Sequence, residues 1–370
     1  MAMIIGVVGG GQLARMMIPA AEALGIEIRV LAEHPDSSAR LAATAVGDYR
    51  DWDTLSAFAK EVDVLTFDHE HVPTELLEKL EGEGTNVRPG SQALVFAQDK
   101  ALMRERLSSL DVPLPRWVVA KSPEDVDAFL AIEGGEAIAK TPRGGYDGKG
   151  VRVISSGEDV SDWLEAGAVL LEQKVAFRRE LAQLAARRPT GGMRVFPLVQ
   201  TIQEGGVCAE VVAPAPGASD ELKAEAARIA QTIAEAVDVT GVLAVEMFET
   251  EDGELIVNEL AMRPHNSGHV FTEGAVTSQF EQHLRAVADW PLGDVSLRNE
   301  WAVMVNLFGD SGESRVYAAL EHSPEVRVHA YGKEPRPGRK AGHVVVCGSD
   351  LKHVHQVARA AARAGESEES

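Results

Sequence analysis

The residues best placed for chemistry are two glutamates on either side of an Asp-Gly pair. Asp252-Gly253 lies between the apolar stretches Val242-Phe248 and Leu255-Leu260, and Asp-Gly favours a two-residue hairpin turn because both positions tolerate positive φ. A hairpin centred there sets Glu251 against Glu254, Phe248 against Val257 and Glu246 against Glu259. Directly opposed side chains have Cβ atoms about 4.5–5.5 Å apart, a spacing at which like charges repel. A divalent cation removes that repulsion. Mg²⁺ takes one or two carboxylates and fills the rest of its octahedron with water and nucleotide phosphates. The hairpin alone indicates a cation and leaves open a solvated pair whose repulsion is screened. A three-residue turn would break the register.

Three glycine-bearing or charged segments add to this. The run from Lys140 to Gly150, with Gly144-Gly145-Tyr146-Asp147-Gly148-Lys149-Gly150 at its centre, sits between the apolar segments Ala137-Lys140 and Val151-Ile154. A phosphate loop of the Walker type leads into a helix; this one joins strands. A flap over phosphates is the better reading, with backbone N–H groups freed by glycine and positive charge from Lys140 and Lys149. Glu172-Gln173-Lys174-Val175 ends an apolar strand, and Glu180 follows. Such a segment can present its backbone to an adenine edge and a carboxylate to ribose hydroxyls, although charged strand ends are commonly just solvated. Gly9-Gly10-Gly11-Gln12-Leu13-Ala14 matches GxGxxA between a strand and a helix, with Glu33 where a ribose ligand would stand. Alone it indicates a dinucleotide dehydrogenase, but the carboxylate hairpin and the second glycine loop have no part in hydride transfer.

The elements that must position these groups follow from periodicity. The first ninety or so residues alternate apolar strands (Ile4-Val8, Ile26-Leu31, Val62-Phe67) with helical patterns (Gln12-Leu24, Asp51-Lys60), the rhythm of a parallel α/β sheet. From Asp99 a smaller α+β unit begins, with a helix start at Ser122-Pro123-Glu124-Asp125, a hydroxyl cap followed by proline and acids. Longer antiparallel strands and the amphipathic helix Asp220-Val237 come next, and the strands Val303-Leu307, Val326-Tyr331 and Val344-Cys347 form a third unit. Two sheets should face each other across a cleft. The net charge of −21 argues against a nucleic-acid surface, which needs a basic stripe. Cys208 and Cys347 lack metal or disulfide spacing. No apolar run is long enough to span a bilayer, which indicates a cytoplasmic protein with no membrane contact.

The order of motifs resembles that of the ATP-grasp ligases, and within them the carboxyaminoimidazole ribonucleotide synthases of purine biosynthesis. The likeness spans nearly the whole chain. Its most specific parts are Gly9-Gly10-Gly11-Gln12-Leu13, the 144–150 loop, Asn258-Glu259-Leu260-Ala261, Arg263-Pro264-His265-Asn266-Ser267-Gly268-His269 and Gly338-Arg339-Lys340-Ala341-Gly342-His343. The resemblance implies a Rossmann-like domain over 1–98 and an ATP-grasp domain over 99–298 with a lid near 116–185. A small β-rich C-terminal domain over 299–363 and a disordered tail over 364–370 complete the expected fold class, α/β with α+β.

By the same resemblance, ATP lies between lid and large sheet, with Lys100 and Lys140 on phosphates and the flap from Gly144 to Gly150 above them. Glu172, Gln173, Lys174 and Val175 meet the adenine and Glu180 the ribose, while Gln203 and Asn258 line the pocket. Glu246 and Glu259 hold Mg²⁺, with Mn²⁺ as a substitute. Aminoimidazole ribonucleotide contacts Gly11, Gln12, Leu13, Glu70, Tyr146, Asp147, Arg263, His265, Asn266 and Ser267, and Lys333, Arg339 and Lys340 supply cations for its phosphate. Asp147, Lys149 and Arg263 are the implied catalytic residues. The implied reaction turns bicarbonate and ATP into carboxyphosphate, which carboxylates the ribonucleotide's amine. A homodimer is implied as well. Ala14, Met262 and Gln203 depart from the family pattern, where glycine, proline and histidine are usual.

Overall fold

The structure, a computed structural model, describes residues 2–145 and 150–365. Ile4–Val8 (β1) is buried beyond its first residue, as expected of a strand covered on both faces. It lies at the centre of a parallel four-stranded sheet with Glu27–Ala32 (β2), Ala43–Val46 (β3) and Val64–Phe67 (β4), in the order β3-β2-β1-β4. The helix Gln12–Leu24 buries Leu13, Ala14, Met17 and Ala21 and stops at Gly25, whose φ of +67° is the left-handed cap that glycine adopts without strain.

A second four-stranded sheet contains Trp117–Ala120 (β5), Ala137–Lys140 (β6), Val151–Ile154 (β7) and Val169–Gln173 (β8), in the order β5-β8-β6-β7. Its helix Pro123–Glu133 starts where the residue types require. Ser122 accepts from the Asp125 N–H, and Asp125 accepts from the Ser122 N–H, a reciprocal cap.

The third sheet is antiparallel and nine-stranded. It holds Phe177–Arg187 (β9), Met193–Val195 (β10), Val199–Glu204 (β11), Val207–Ala213 (β12), Gly241–Thr250 (β13) and Leu255–Ala261 (β14). The same sheet then continues through Trp301–Gly309 (β15), Arg327–Ala330 (β16) and Arg336–Gly348 (β17), in the order β14-β13-β9-β11-β12-β15-β17-β16. The strands after residue 300 are therefore hydrogen-bonded to the large sheet through β12 and β15, where the periodicity suggests a unit of its own. A helix absent from the sequence reading, Leu351–Arg363, covers them with Val354, Ala358, Ala361 and Ala362. The expected tail lies, past Gly365, outside the described residues.

The N-terminal sheet is joined to the large one through the helix Gln279–Val287, whose Phe280, Leu284 and Val287 share a core with Met17 and Ala21. His283 pins this junction. Its Nδ1 accepts from the Val242 N–H at 3.1 Å, which leaves the proton on Nε2 to be donated to Thr66 Oγ1 at 2.8 Å. A Cβ at Gly241 would come within 2.8 Å of the ring, so the fit excludes larger residues there. Burial pushes the His283 pKa down to about 3. A histidine whose folded pKa lies below its unfolded value stabilises the fold above about pH 6.5, and that contribution is lost as pH falls toward 3. His283→Gln keeps a donor for Thr66 without the titration. The unfolding free energy of the unsubstituted chain should therefore fall relative to the variant's by up to about 1.4 kcal/mol per pH unit between about pH 6 and 4, one proton's worth. Parallel urea-unfolding profiles against pH would remove this account.

Candidate active site

The hairpin holds the two glutamates together, by a route different from the simple one. Thr250 N donates to Glu254 O, Gly253 takes φ +83°, and the inner pairs are Glu249 with Leu255, Phe248 with Ile256 and Met247 with Val257. The turn thus has three residues and moves every inner pair by one, so Phe248 does not face Val257. A bulge between Glu246 and Met247 then restores the register, and Glu246 faces Glu259 after all. Because a bulge lets two successive residues oppose one, both Asn258 and Glu259 reach the cleft. The sequence offered no signal for the bulge.

A cleft of about 1080 Å³ lies between the sheet of β5 to β8 and the large sheet. At its centre Lys100 Nζ stands 3.3 Å from Glu259 Oε1, and His265 Nε2 stands 3.1 Å from Glu246 Oε1. Lys140 Nζ bridges Glu172 Oε2 at 2.8 Å and Asn258 Oδ1 at 3.0 Å. Glu180, on β9, also faces the cleft. Burial and the neighbouring charges of Glu259 and Glu180 push the Glu246 carboxyl up to about 7, and burial raises Glu180 to about 7. Glu246 thus carries the repulsion of two neighbouring carboxylates, which a cation between them would relieve. Among the described residues no group of three or more His, Cys, Asp or Glu side chains is arranged to hold an ion alone. The donor set therefore fits a hard cation that takes two carboxylates and finds its other oxygens on a ligand.

On the β8 side of the cleft the structure corrects several of the expected side-chain roles. Glu172 does not offer its side chain to a base, because the carboxylate is turned to Arg104 and Lys140; only its backbone remains. The Lys174 ammonium is drawn away to Glu136 at 2.7 Å, so Lys174 too has only its backbone to offer a base. Phe177 and Phe248 stack with centroids 4.5 Å apart on the cleft wall. Neither was assigned to the site from sequence, although Phe248 is two residues from Glu246 and so shares its face. Gln203 lines the cleft and hydrogen-bonds Glu180. Arg143, Gly144 and Gly145 form one edge, and Thr141 N donates to Gly150 O at the loop base. Tyr146, Asp147, Gly148 and Lys149 lie outside the described residues.

At the other end, Arg263 Nε donates to Glu70 Oε2 at 2.7 Å, and Asn266 exchanges amide hydrogen bonds with Asn306 at 3.2 and 2.9 Å. Burial, then Arg263 and Lys340, lower His265 to about 3; with Nδ1 accepting from the Ser267 N–H, its Nε2–H points at Glu246. Two expected contacts fail here. Ser267 is 0% exposed and bonded to His265 Nδ1 at 2.8 Å, and Leu13 is 5% exposed in the core beneath its helix. Lys340 lines the cleft, Lys333 Nζ meets Gln12 Oε1 at 2.5 Å, and the exposed Arg339 donates to Glu334 O outside the cleft.

Asp68, which sequence reasoning missed, decides the N-terminal glycine turn. Its carboxylate accepts from Gly11 N and Ala14 N, both at 2.8 Å, so it occupies the helix N-terminus where a dinucleotide's pyrophosphate would sit. A negative charge there repels a second one. Glu33, the expected ribose ligand, is exposed and faces Arg50 at 3.7 Å. Among the described residues the dehydrogenase reading has no site.

Family comparisons point to one enzyme family. Residues 1–98 match a ribonucleotide synthetase preATP-grasp domain, residues 105–280 an ATP-grasp domain, and residues 302–357 a phosphoribosylaminoimidazole carboxylase C-terminal domain. An N5-carboxyaminoimidazole ribonucleotide synthase from Mycobacterium tuberculosis is 48% identical over 97% of this chain and 87% of its own length. The structure of an N5-carboxyaminoimidazole ribonucleotide synthetase from Thermus thermophilus superposes with a TM-score of 0.89 at 37% identity, covering 99% of this chain and 100% of the other. An Aspergillus clavatus N5-carboxyaminoimidazole synthase, solved with ADP and 5-aminoimidazole ribonucleotide, gives 0.87 at 30% identity and 97% coverage of both chains.

Proposed function

The chain belongs to the N5-carboxyaminoimidazole ribonucleotide synthase family of ATP-grasp enzymes, and on that premise we propose that it carboxylates 5-aminoimidazole ribonucleotide. Bicarbonate attacks the γ-phosphate of ATP, releasing ADP and forming carboxyphosphate. The exocyclic amine then takes the carboxyl group and releases phosphate, with loss of one amine proton. The observation that carries this reading is a single cleft in which the paired carboxylates stand between two lysines on one side and Arg263, His265 and Lys340 on the other. Phosphoryl transfer needs charge neutralisation and alignment more than covalent chemistry from the protein.

Each residue has a defined task in this proposal. Lys100 and Lys140 hold nucleotide phosphates, the backbone at Glu172 and Val175 meets the adenine, and Glu180 takes the ribose. Glu246 and Glu259 would hold Mg²⁺ or Mn²⁺. The ion supplies positive charge to phosphate oxygens. His265 keeps Glu246 in place by donating its Nε2 proton. Arg263, oriented by Glu70, faces the ribonucleotide with His265 and Asn266, and Lys340 with Lys333 takes its phosphate. Asp147 and Lys149 belong to the flap on the strength of the sequence alone, Asp147 as acceptor of the amine proton. We further propose that the chain works as a cytoplasmic homodimer with a preATP-grasp domain, an ATP-grasp domain with its lid and a C-terminal domain. No described helix is long and apolar enough to cross a membrane.

Phosphate release should require ATP, 5-aminoimidazole ribonucleotide and bicarbonate together. Removing bicarbonate from degassed buffer should abolish release, and adding it back should restore release. Release driven by glycinamide ribonucleotide with formate, the chemistry of a neighbouring ATP-grasp enzyme, would overturn the assignment.

A further inference from the structure

Arg104 has no part in the reaction set out above, yet its guanidinium is fully buried, at 0% exposure. It lies in the helix Lys100–Ser108, one turn beyond Lys100. Its donors reach two different sheets. Nε donates to Glu172 Oε1 at 2.7 Å on the lid strand β8, Nη1 to Val257 O at 3.0 Å and Nη2 to Asn258 O at 2.7 Å on β14. Those carbonyls lie at the bulge that turns Asn258 and Glu259 into the cleft. Lys140 completes the network through the other oxygen of Glu172 and through Asn258 Oδ1.

Charge decides what this arrangement does. Glu172 is 3% exposed, and a buried carboxylate demands a partner. Paired with Lys140 alone it would form a closed, neutral couple. With Arg104 on one oxygen and Lys140 on the other, two positive charges face one negative charge, and the surplus falls on Lys140, the cation of the two that lines the cleft. Burial pushes the Glu172 carboxyl up, and Arg104 followed by Lys140 more than offsets this, so the group stays below its ordinary range and charged. The planar fork of arginine can meet a carboxylate and two carbonyls at once, which a lysine cannot.

We infer that Arg104 is a positioning residue for nucleotide binding, which neutralises Glu172 so that Lys140 keeps its positive charge for a phosphate of the nucleotide. This rests on the reading of Lys140 as a phosphate ligand. The residue touches no substrate itself. Its influence runs through the charge of Lys140.

Titrating the purified full chain with ATP and with adenosine tests this, because adenosine has no phosphate for Lys140 to meet. Arg104→Met should weaken ATP binding by about tenfold or more, the scale of a lost charge-assisted contact, and leave adenosine binding unchanged. Arg104→Met with Glu172→Gln removes one charge of each sign and returns the surplus to Lys140, so ATP affinity should recover to within about threefold of the unsubstituted chain. A purely architectural Arg104 predicts that the double variant is as weak as the single or weaker, and that result overturns the inference. Equal losses for adenosine and ATP, or an unchanged ATP affinity in Arg104→Met, overturn it too. If Arg104→Met does not fold, the double variant decides alone by the same comparison with the unsubstituted chain. A chain that binds ATP but releases no phosphate with 5-aminoimidazole ribonucleotide and bicarbonate would refute the proposed reaction and leave this test intact.

Discussion

Glu259→Gln should lower turnover by about 10²–10³-fold, the scale seen when one preorganised electrostatic contact to developing charge is removed. Glutamine has the same shape and can still accept from Lys100, which lies 3.3 Å away, so the fold has little reason to change. What is lost is the negative charge that, with Glu246, would hold the proposed cation. The loss should depend on metal, with turnover climbing back only at Mg²⁺ concentrations far above those that saturate the unsubstituted chain. Glu246→Gln should behave alike in turnover and differently in stability. Burial, then repulsion by Glu259 and Glu180, pushes the Glu246 carboxyl up to about 7, so removing its charge relieves a cost the ligand-free protein carries. A higher melting temperature together with lower activity is the expected pattern, a familiar exchange where charges are gathered for function. Phosphate-release assays across Mg²⁺ concentration, with calorimetric melting in parallel, measure both. Full turnover by Glu259→Gln at limiting Mg²⁺ would place the metal elsewhere.

Arg263→Lys should cost about 10²-fold or more in kcat/KM for 5-aminoimidazole ribonucleotide, with the KM for ATP within about threefold of normal. The reason is geometric. Arg263 uses Nε on Glu70 at 2.7 Å and Nη1 on the Pro264 carbonyl at 3.1 Å, and its remaining donors are left for a ligand in the cleft. A lysine ammonium that satisfied Glu70 would sit back from the acceptor end, and Glu70 also receives the Met262 N–H at 3.3 Å, so the carboxylate cannot follow. The split between substrates is the informative measurement. Equal increases in both KM values would mean that Arg263 supports the cleft as a whole, and the proposed role at the ribonucleotide would be withdrawn.

Local sequence determined a good deal. The alternation of short apolar strands and helices marked the parallel entry sheet, the Ser122 cap placed its helix, and the Asp-Gly pair found the hairpin that carries Glu246 and Glu259, because all of these depend on neighbours a few residues apart. Motif order added the nucleotide and the acceptor through resemblance. Tertiary structure decided what depends on residues distant in the chain. A three-residue turn and a compensating bulge, set by how β13 pairs with β9 as well as β14, returned the glutamates to one another. Asp68, 57 residues from Gly11, filled the helix terminus that the glycine pattern alone would have given to a dinucleotide. Leu13 and Ser267 turned inward, and the late strands joined the large sheet instead of standing apart. Arg104 gave no local sign at all. Its task is set by a carboxylate 68 residues away and carbonyls 153 and 154 away, and where one buried charge ends up relative to another is fixed only when the sheets that carry them have packed.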